Sequence, residues 1–210
     1  MRLTAAMAGA FAAALASGCA GLHSSQEATQ VYTLELAMPA GAAVPAAAGK
    51  PVATGLSEPR PTLQVLRPLA APGLDSERIA LVRNVSQLDY YAASRWPAPL
   101  PEVLQSLAVS ALRASGQFRA VQSEGAAFAA DEVLQLEIRR CQAEYNNSGG
   151  DVVVHVQLAA TLARRADRSL VASVNAESVV PVAENRLQAV IAAYRRAVGE
   201  ALGQLVTQLP

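Results

Sequence analysis

The seven residues V-L-Q-L-E-I-R, positions 133–139, decide the fold class of this chain of 210 residues. Leu134, Leu136 and Ile138 alternate with polar side chains along this stretch. Strict alternation of this kind indicates a β-strand with one buried and one exposed face. The chain therefore forms a sheet whose apolar face must be covered by other elements.

Two further strands follow this one, each after a turn signal. N-N-S-G-G at 146–150 is typical of a turn, and apolar residues alternate again from Val152 to Ala160. R-R-A-D-R-S at 164–169 marks a second turn, and residues 170–180 form a third strand pattern. Three consecutive strands joined by short polar turns predict an antiparallel strand meander over residues 132–180.

Two amphipathic helices are predicted, one on each side of this meander along the chain. The first covers about 101–115, where Pro101 fits the first turn and leucines such as Leu104 recur at helical spacing. The second covers about 182–208 and carries a continuous apolar stripe that must be buried. We therefore predict an α+β fold, a two-layer domain with a mainly antiparallel sheet covered by two helices.

The chain before the first helix adds short strands and an irregular insertion. V-Y-T-L-E-L at 31–36 predicts a first strand, and apolar runs at 63–66 and 79–82 predict two more. Another short strand is predicted at 118–121. Residues 37–60 are rich in Ala, Pro and Gly without periodicity, which indicates an irregular surface insertion.

Residues 1–18 have the pattern of a secretory signal peptide, with a positive Arg2, an apolar middle and small residues at the end. The residues directly before Cys19 are L-A-S-G, which resembles a bacterial lipobox where the cysteine becomes lipidated. The alternative is an ordinary signal peptide, which would leave Cys19 without a role. We interpret Cys19 as the lipidated residue, 19–30 as a tether and 31–210 as a single domain.

Lipidation would also set the location of the protein. Several acyl chains on Cys19 would anchor the domain stably, because one chain alone binds a membrane only marginally. In bacterial lipoproteins an Asp after the cysteine favours retention at the inner membrane, and this chain has Ala20 there. We therefore expect a protein anchored in the outer membrane and facing the periplasm.

The charge and cysteine content exclude some functions. Lys and Arg total 17 and Asp and Glu total 17, so nothing in the charge suggests a nucleic-acid partner. With Cys19 lipidated, Cys141 is the other cysteine of the chain, and we expect no intramolecular disulfide. We interpret Cys141 as a small core residue.

Few residues could carry catalysis. His155 alternates with valines in a strand, where a role on the sheet face is favoured over a catalytic or metal-binding role. Asp131 and Glu132 are adjacent carboxylates at the start of a strand, and such pairs are usually solvated. The sequence contains no nucleophile elbow, zinc-protease motif or redox C-x-x-C. We therefore predict a protein that is not an enzyme and that uses no cofactor or metal.

Tyr90, Tyr91, Arg95 and Trp96 form a local concentration of large side chains in a chain with few aromatic residues. Clustered Tyr, Trp and Arg are typical of binding hot spots, so these four residues are a candidate partner-binding site. The alternative is that the rings pack a long loop onto the sheet and the helices.

Several short motifs follow one another along the chain after Cys19. They are Y-x-L at 32–34, L-D at 74–75, R-I at 78–79 and R-W-x-x-P-L at 95–100. This combination resembles the ABC-type transport auxiliary lipoproteins, the paraquat-inducible protein C-like family. The resemblance covers most of the chain and is strongest from 62 to 116.

The resemblance implies a non-catalytic part of an MCE-type transporter for lipids. The partners it implies are a periplasmic MCE-domain protein and its permease/ATPase complex, which the anchored domain would dock. The alternative is a periplasmic lipoprotein that binds a lipid or another ligand by itself. An envelope hydrolase acting through His155 is a third hypothesis, which we rank last. A homo-oligomer is compatible with each of these.

Overall fold

A computed structural model describes residues 28–36, 60–84, 86–125, 129–145 and 151–210. These ranges contain nine strands, all in one sheet, and two helices. The strands are β1 (Gln30–Val31), β2 (Thr62–Val65), β3 (Leu69–Ala70), β4 (Arg78–Arg83), β5 (Gln87–Arg95), β6 (Ala120–Ser123), β7 (Glu132–Tyr145), β8 (Val152–Arg164) and β9 (Leu170–Pro181). The helices are α1 (Leu100–Ser115) and α2 (Leu187–Gln208).

The central element of the sheet is β7, which is 14 residues long. One of its edges pairs with antiparallel β8 along nearly its whole length, and β9 continues the sheet beyond β8. The other edge is shared by three short strands, β2, β3 and β4, and all three run parallel to β7. Parallel β6 extends the sheet beyond β2, while antiparallel β5 and then β1 extend it beyond β4.

The prediction of a mainly antiparallel sheet is therefore wrong, because the sheet is mixed. Five strand pairings are parallel and three are antiparallel. The antiparallel meander β7–β8–β9 is present, but it accounts for only one edge of β7. Strands from the first half of the chain occupy the other edge, and they reach it in the parallel direction through longer connections.

The strand boundaries also differ in the first half of the chain. The predicted strand at 31–36 is reduced to Gln30–Val31, and the strand predicted at 118–121 lies at Ala120–Ser123. Strand β5 was not predicted, because its residues do not alternate. A bulge at Ala93, where φ is +46°, interrupts the alternation.

Both predicted helices are present and cover one face of the sheet. Helix α1 buries Leu104, Ala108 and Leu112, and ends at Gly116, which has a φ of +69° that glycine adopts without strain. Helix α2 begins at Leu187, later than the predicted 182, because β9 extends to Pro181. Neither helix is long and apolar enough to cross a membrane, a finding limited to the described residues.

The core lies between the helices and the sheet. Every second residue of β8 from Val152 to Leu162 is buried and faces the helix layer, together with the apolar side of β7. The predicted signal peptide, Cys19, most of the tether and all of the 37–60 insertion except Arg60 lie outside the described residues.

Candidate functional site

Strand β5 carries most of the predicted partner-binding residues. Tyr90 and Tyr91 are neighbours in the strand, so their side chains lie on opposite faces of the sheet. The Tyr90 hydroxyl donates a hydrogen bond to the carbonyl of Gly73 at 2.9 Å, and the guanidinium of Arg78 lies 3.7 Å from the centre of its ring. Tyr90 is half-buried, and one side of it remains accessible.

Tyr91 takes part in a chain of polar groups near the start of α2. Its hydroxyl lies 2.9 Å from that of Tyr145, which in turn lies 3.3 Å from the side-chain oxygen of Asn185. Because Tyr145 has one proton and donates it to Asn185, Tyr91 must donate to Tyr145. Burial, reinforced by the hydrogen bond to Tyr145, raises the pKa of Tyr91. This hydroxyl therefore stays protonated and serves the structure.

Trp96 lies in the centre of the core, where only 1% of it is exposed. Its ring meets that of Tyr194 edge to face, with centroids 5.4 Å apart and planes at 78°. The Tyr194 hydroxyl donates a buried hydrogen bond of 2.6 Å to the carbonyl of Ala80, which ties α2 to β4. A partner protein could not touch Trp96 without unpacking the core.

Arg95 points outward and forms an ion pair of 2.7 Å with Glu77. The structure thus places Arg95 at the surface, leaves Tyr90 and Tyr91 half-buried and encloses Trp96. Leu88 is 39% exposed, and its side chain packs against Gly73 beside the hydroxyl of Tyr90. We call the accessible residues Arg78, Leu88, Tyr90 and Arg95 the β5 patch, and partner binding by this patch stays a prediction.

A second candidate site is an apolar groove of about 490 Å³ between α1 and α2. Small side chains form its floor, namely Ala111, Ala114, Gly199 and Gly203. Leu36 lines the same groove, as do Arg195 and Arg196. A Cβ atom on either glycine would meet nothing within 4 Å, so the missing side chains leave open space. This groove was not predicted from the sequence. Gly199 and Gly203 are four residues apart and so lie on one face of α2, which was a sequence signal for such a groove.

Between the helices and the sheet, the described residues leave far less space. The apolar void between Leu112, Leu134 and Leu205 has a volume of about 10 Å³, which is about the space of one water molecule. This interface is packed as a core. Among the described residues, an apolar ligand would therefore find more room in the α1/α2 groove than under the helices.

His155 and Cys141 lie on opposite faces of the sheet. The side chain of His155 is 11% exposed on the face away from the helices, with Nε2 2.6 Å from Glu177 and Nδ1 3.2 Å from Glu144. Cys141 lies on the helix side, where burial raises the pKa of its thiol to about 12. The two residues cannot form a catalytic pair, and Cys141 is the core residue that the sequence predicted. Within the described ranges, no group of three or more acidic, His or Cys side chains is arranged to hold a metal ion.

Comparison with known proteins agrees with the auxiliary-lipoprotein motifs. A family model described as "ABC-type transport auxiliary lipoprotein component" matches residues 32–206. The match covers most of the chain, so the protein belongs to this family of transport auxiliary lipoproteins, as the resemblance predicted. No curated protein sequence matches the chain.

The solved structures that are similar to this chain include two crystal structures. Protein XCC0632 from Xanthomonas campestris, of the family designated DUF330, is 27% identical, with a TM-score of 0.65 over 72% of this chain and 86% of that one. An uncharacterized protein is 13% identical, with a TM-score of 0.60 over 86% of this chain and 98% of that one. The second likeness shows a shared fold alone.

Proposed function

We propose that this protein is the docking component of an MCE-type ABC transport system for lipids. In this role Cys19 anchors the domain in the outer membrane, and the domain captures a periplasmic MCE-domain protein. The family match over 32–206 is the observation that carries the proposal. Ala20 after the cysteine supports the outer-membrane location. The role is non-catalytic, because ATP hydrolysis belongs to another subunit.

The β5 patch is the proposed docking surface. It combines a partly exposed aromatic ring and an exposed Leu88 with the guanidinium groups of Arg78 and Arg95. An amphipathic ring next to arginine is the composition that contributes most to protein interfaces. Trp96 would not contact the partner. It would support the patch by packing on Tyr194, which fixes the end of β5.

Crosslinking in intact cells, followed by capture of this protein and mass spectrometry, tests the proposal. The captured set is expected to contain an MCE-domain protein, and Tyr90→Ala or Leu88→Ala is expected to reduce its amount per folded molecule. Leu170→Ala is the matched control, because Leu170 is an equally large side chain, 64% exposed on β9. If wild-type protein captures only barrel or cell-wall proteins, the proposal is wrong.

The anchor is tested by fractionation of the same cells. Wild-type protein is expected in the outer-membrane fraction, and the Cys19→Ser variant in the soluble periplasmic fraction. Recovery of wild-type protein with the inner membrane would overturn the sorting role given to Ala20.

A second candidate function is the binding of a lipid or another apolar ligand without a partner. The α1/α2 groove favours it, since its volume falls within the range of small-molecule sites. Native mass spectrometry of the purified protein would then detect a bound lipid, and Gly203→Leu would remove it by filling the groove floor. Absence of any bound lipid in both proteins would exclude this function.

A further inference from the structure

Four arginines converge on a cleft of about 610 Å³ at one end of the sheet. Strands β2, β6 and β7 run parallel to one another, so their first residues lie at the same end. Antiparallel β8 finishes there as well. As a result, three separate chain segments bring Arg60, Arg119, Arg164 and Arg165 to the walls of one cleft.

The two acidic residues in this cleft offset only part of the positive charge, since Asp131 interacts electrostatically with Arg119 and Glu132 with Arg164. Asp131 accepts hydrogen bonds from the backbone N–H of Thr62 at 2.8 Å and from its hydroxyl at 2.7 Å, through the same carboxylate oxygen. Glu132 is partly buried, and this burial raises its pKa. Among the described residues, neither carboxylate lies within ion-pair distance of the four arginines, whereas Arg164 pairs with the nearby Asp167 at 3.9 Å.

The arginines also keep most of their donors free. Arg60 donates to the carbonyl of Gly116, and Arg165 donates to the side chain of Gln64 at 2.6 Å. Arg164 reaches Ser169 at 3.1 Å. The guanidinium of Arg119 attracts Asp131 without donating a hydrogen bond to any described residue, although each guanidinium carries five donors. Like charges that line one cleft repel one another, and an anion bound between them would reduce this repulsion.

We propose that this cleft binds a phosphate group carried by an organic molecule, with Arg119 and Arg165 as its principal ligands. Guanidinium groups form paired hydrogen bonds with phosphate oxygens. Four arginines line the cleft against Asp131 and Glu132, and Asp167 pairs with Arg164, so the cleft keeps a net positive charge that favours an anion such as a phosphate monoester. Its volume leaves room for the rest of a small ligand. A lipid headgroup and a soluble phosphate ester share this chemistry.

Binding of inorganic phosphate and of glycerol 3-phosphate to the purified full-length protein in detergent tests the proposal. Isothermal titration is expected to show saturable binding of both probes. The Arg119→Gln and Arg165→Gln variants are each expected to weaken it about tenfold, which corresponds to the loss of a charge-assisted hydrogen bond. The affinity of the wild type is expected to rise from about pH 5 to about pH 7.5, as the phosphate loses its second proton.

The control is Arg139→Gln, which removes an exposed arginine that pairs with Glu137 and Asn175 on the uncovered face of the sheet. This variant is expected to bind as the wild type does. Arg119→Gln removes no hydrogen bond to a described residue, so its melting temperature is expected to stay unchanged. Absence of saturable binding, or equal affinity in the Arg119 and Arg139 variants, would overturn the proposal.

A competition experiment identifies the source of the phosphate. If the cleft takes a lipid headgroup with a phosphate monoester, micelles doped with phosphatidic acid displace inorganic phosphate. Micelles doped with phosphatidylcholine are the control. If only glycerol 3-phosphate displaces it, the ligand is a soluble ester. Phosphate binding is measured independently of partner capture at the β5 patch. A negative result for the cleft therefore does not contradict the proposed docking function, and the reverse also holds.

Discussion

Trp96 and Tyr194 illustrate how single side chains connect the two layers. Replacing Trp96 by Ala removes the edge-to-face contact and leaves a cavity in a site that is 1% exposed. Large-to-small changes of this kind cost about 3–5 kcal/mol. Urea unfolding followed by circular dichroism measures this cost. Capture of the partner by this variant should fall only in proportion to its unfolded fraction. A loss of stability below about 1 kcal/mol would mean that Trp96 is not part of the core.

Asp131 joins the beginnings of β2 and β7. The backbone and hydroxyl hydrogen bonds from Thr62 lower the pKa of Asp131, so the folded state favours its ionised form. The unfolded chain therefore binds a proton more readily, and this contribution to stability is present above about pH 4 and is lost as the pH falls through the lowered pKa. We expect Asp131→Asn to destabilise the protein at pH 7 and to have less effect near pH 3.

Urea unfolding at the two pH values measures this difference for Asp131→Asn. Asp151→Asn is the control, because Asp151 is exposed and forms no hydrogen bond with a described residue. A loss of stability for Asp131→Asn that is equal at both pH values would show that the charge of Asp131 has no part in the effect.

At the scale of elements, side chains from the helices block the open edges of the sheet. At β9, Gln204 accepts from the backbone N–H of Glu177 at 3.1 Å and donates to its carbonyl at 3.0 Å, as a neighbouring strand would. At β6, Arg113 donates to the carbonyl of Val121 at 2.9 Å. Unpaired strand edges favour association with other chains, so these contacts disfavour edge-to-edge pairing of the sheet.

The Gln204→Ala variant is expected to free the edge of β9. The amide of Glu177 should exchange faster with solvent, and the protein should associate at lower concentration. Hydrogen exchange and sedimentation velocity measure the two effects. Gln188→Ala is the matched control, since Gln188 is an exposed glutamine of the same helix without a hydrogen bond to a described residue. Equal exchange and association in both variants would contradict this role of Gln204.

Local periodicity explains which elements the sequence could reveal. The two helices and the strands β7, β8 and β9 follow from repeats of apolar residues within single segments. The parallel partners of β7 come from residues 62–83, far away in the chain, and no short-range pattern states which strand edge they join. The aromatic residues of 90–96 stand out by composition. Strict alternation would place Tyr90 and Trp96, six residues apart, on the same face of the sheet. The irregularity at Ala93 allows Trp96 to lie inward while Tyr90 lies on the other face, and no short-range pattern in the sequence reveals it.

At the scale of the whole molecule, β7 joins the two halves of the chain into one sheet. The first half pairs with one edge of β7 and the second half with the other. Across the layers, Gln117 donates to the carbonyls of Val206 and Leu209 at the end of α2. Neither half can bury its apolar face without the other, so we expect the described domain to unfold as one cooperative unit.

A core substitution confined to the second half tests this cooperativity. Leu158→Ala in β8 alters a residue that is 2% exposed, and it should cost about 2–5 kcal/mol. Trp96 is the only tryptophan of the chain, and because it packs on Tyr194 of α2 its fluorescence reports on the first half and its junction with that helix, whereas circular dichroism reports on the helices and strands of both halves. If β7 couples the halves, the urea midpoints from fluorescence and from circular dichroism shift equally. A fluorescence midpoint that stays in place while the other moves would show that the first half is stable by itself, and that β7 joins two independent units.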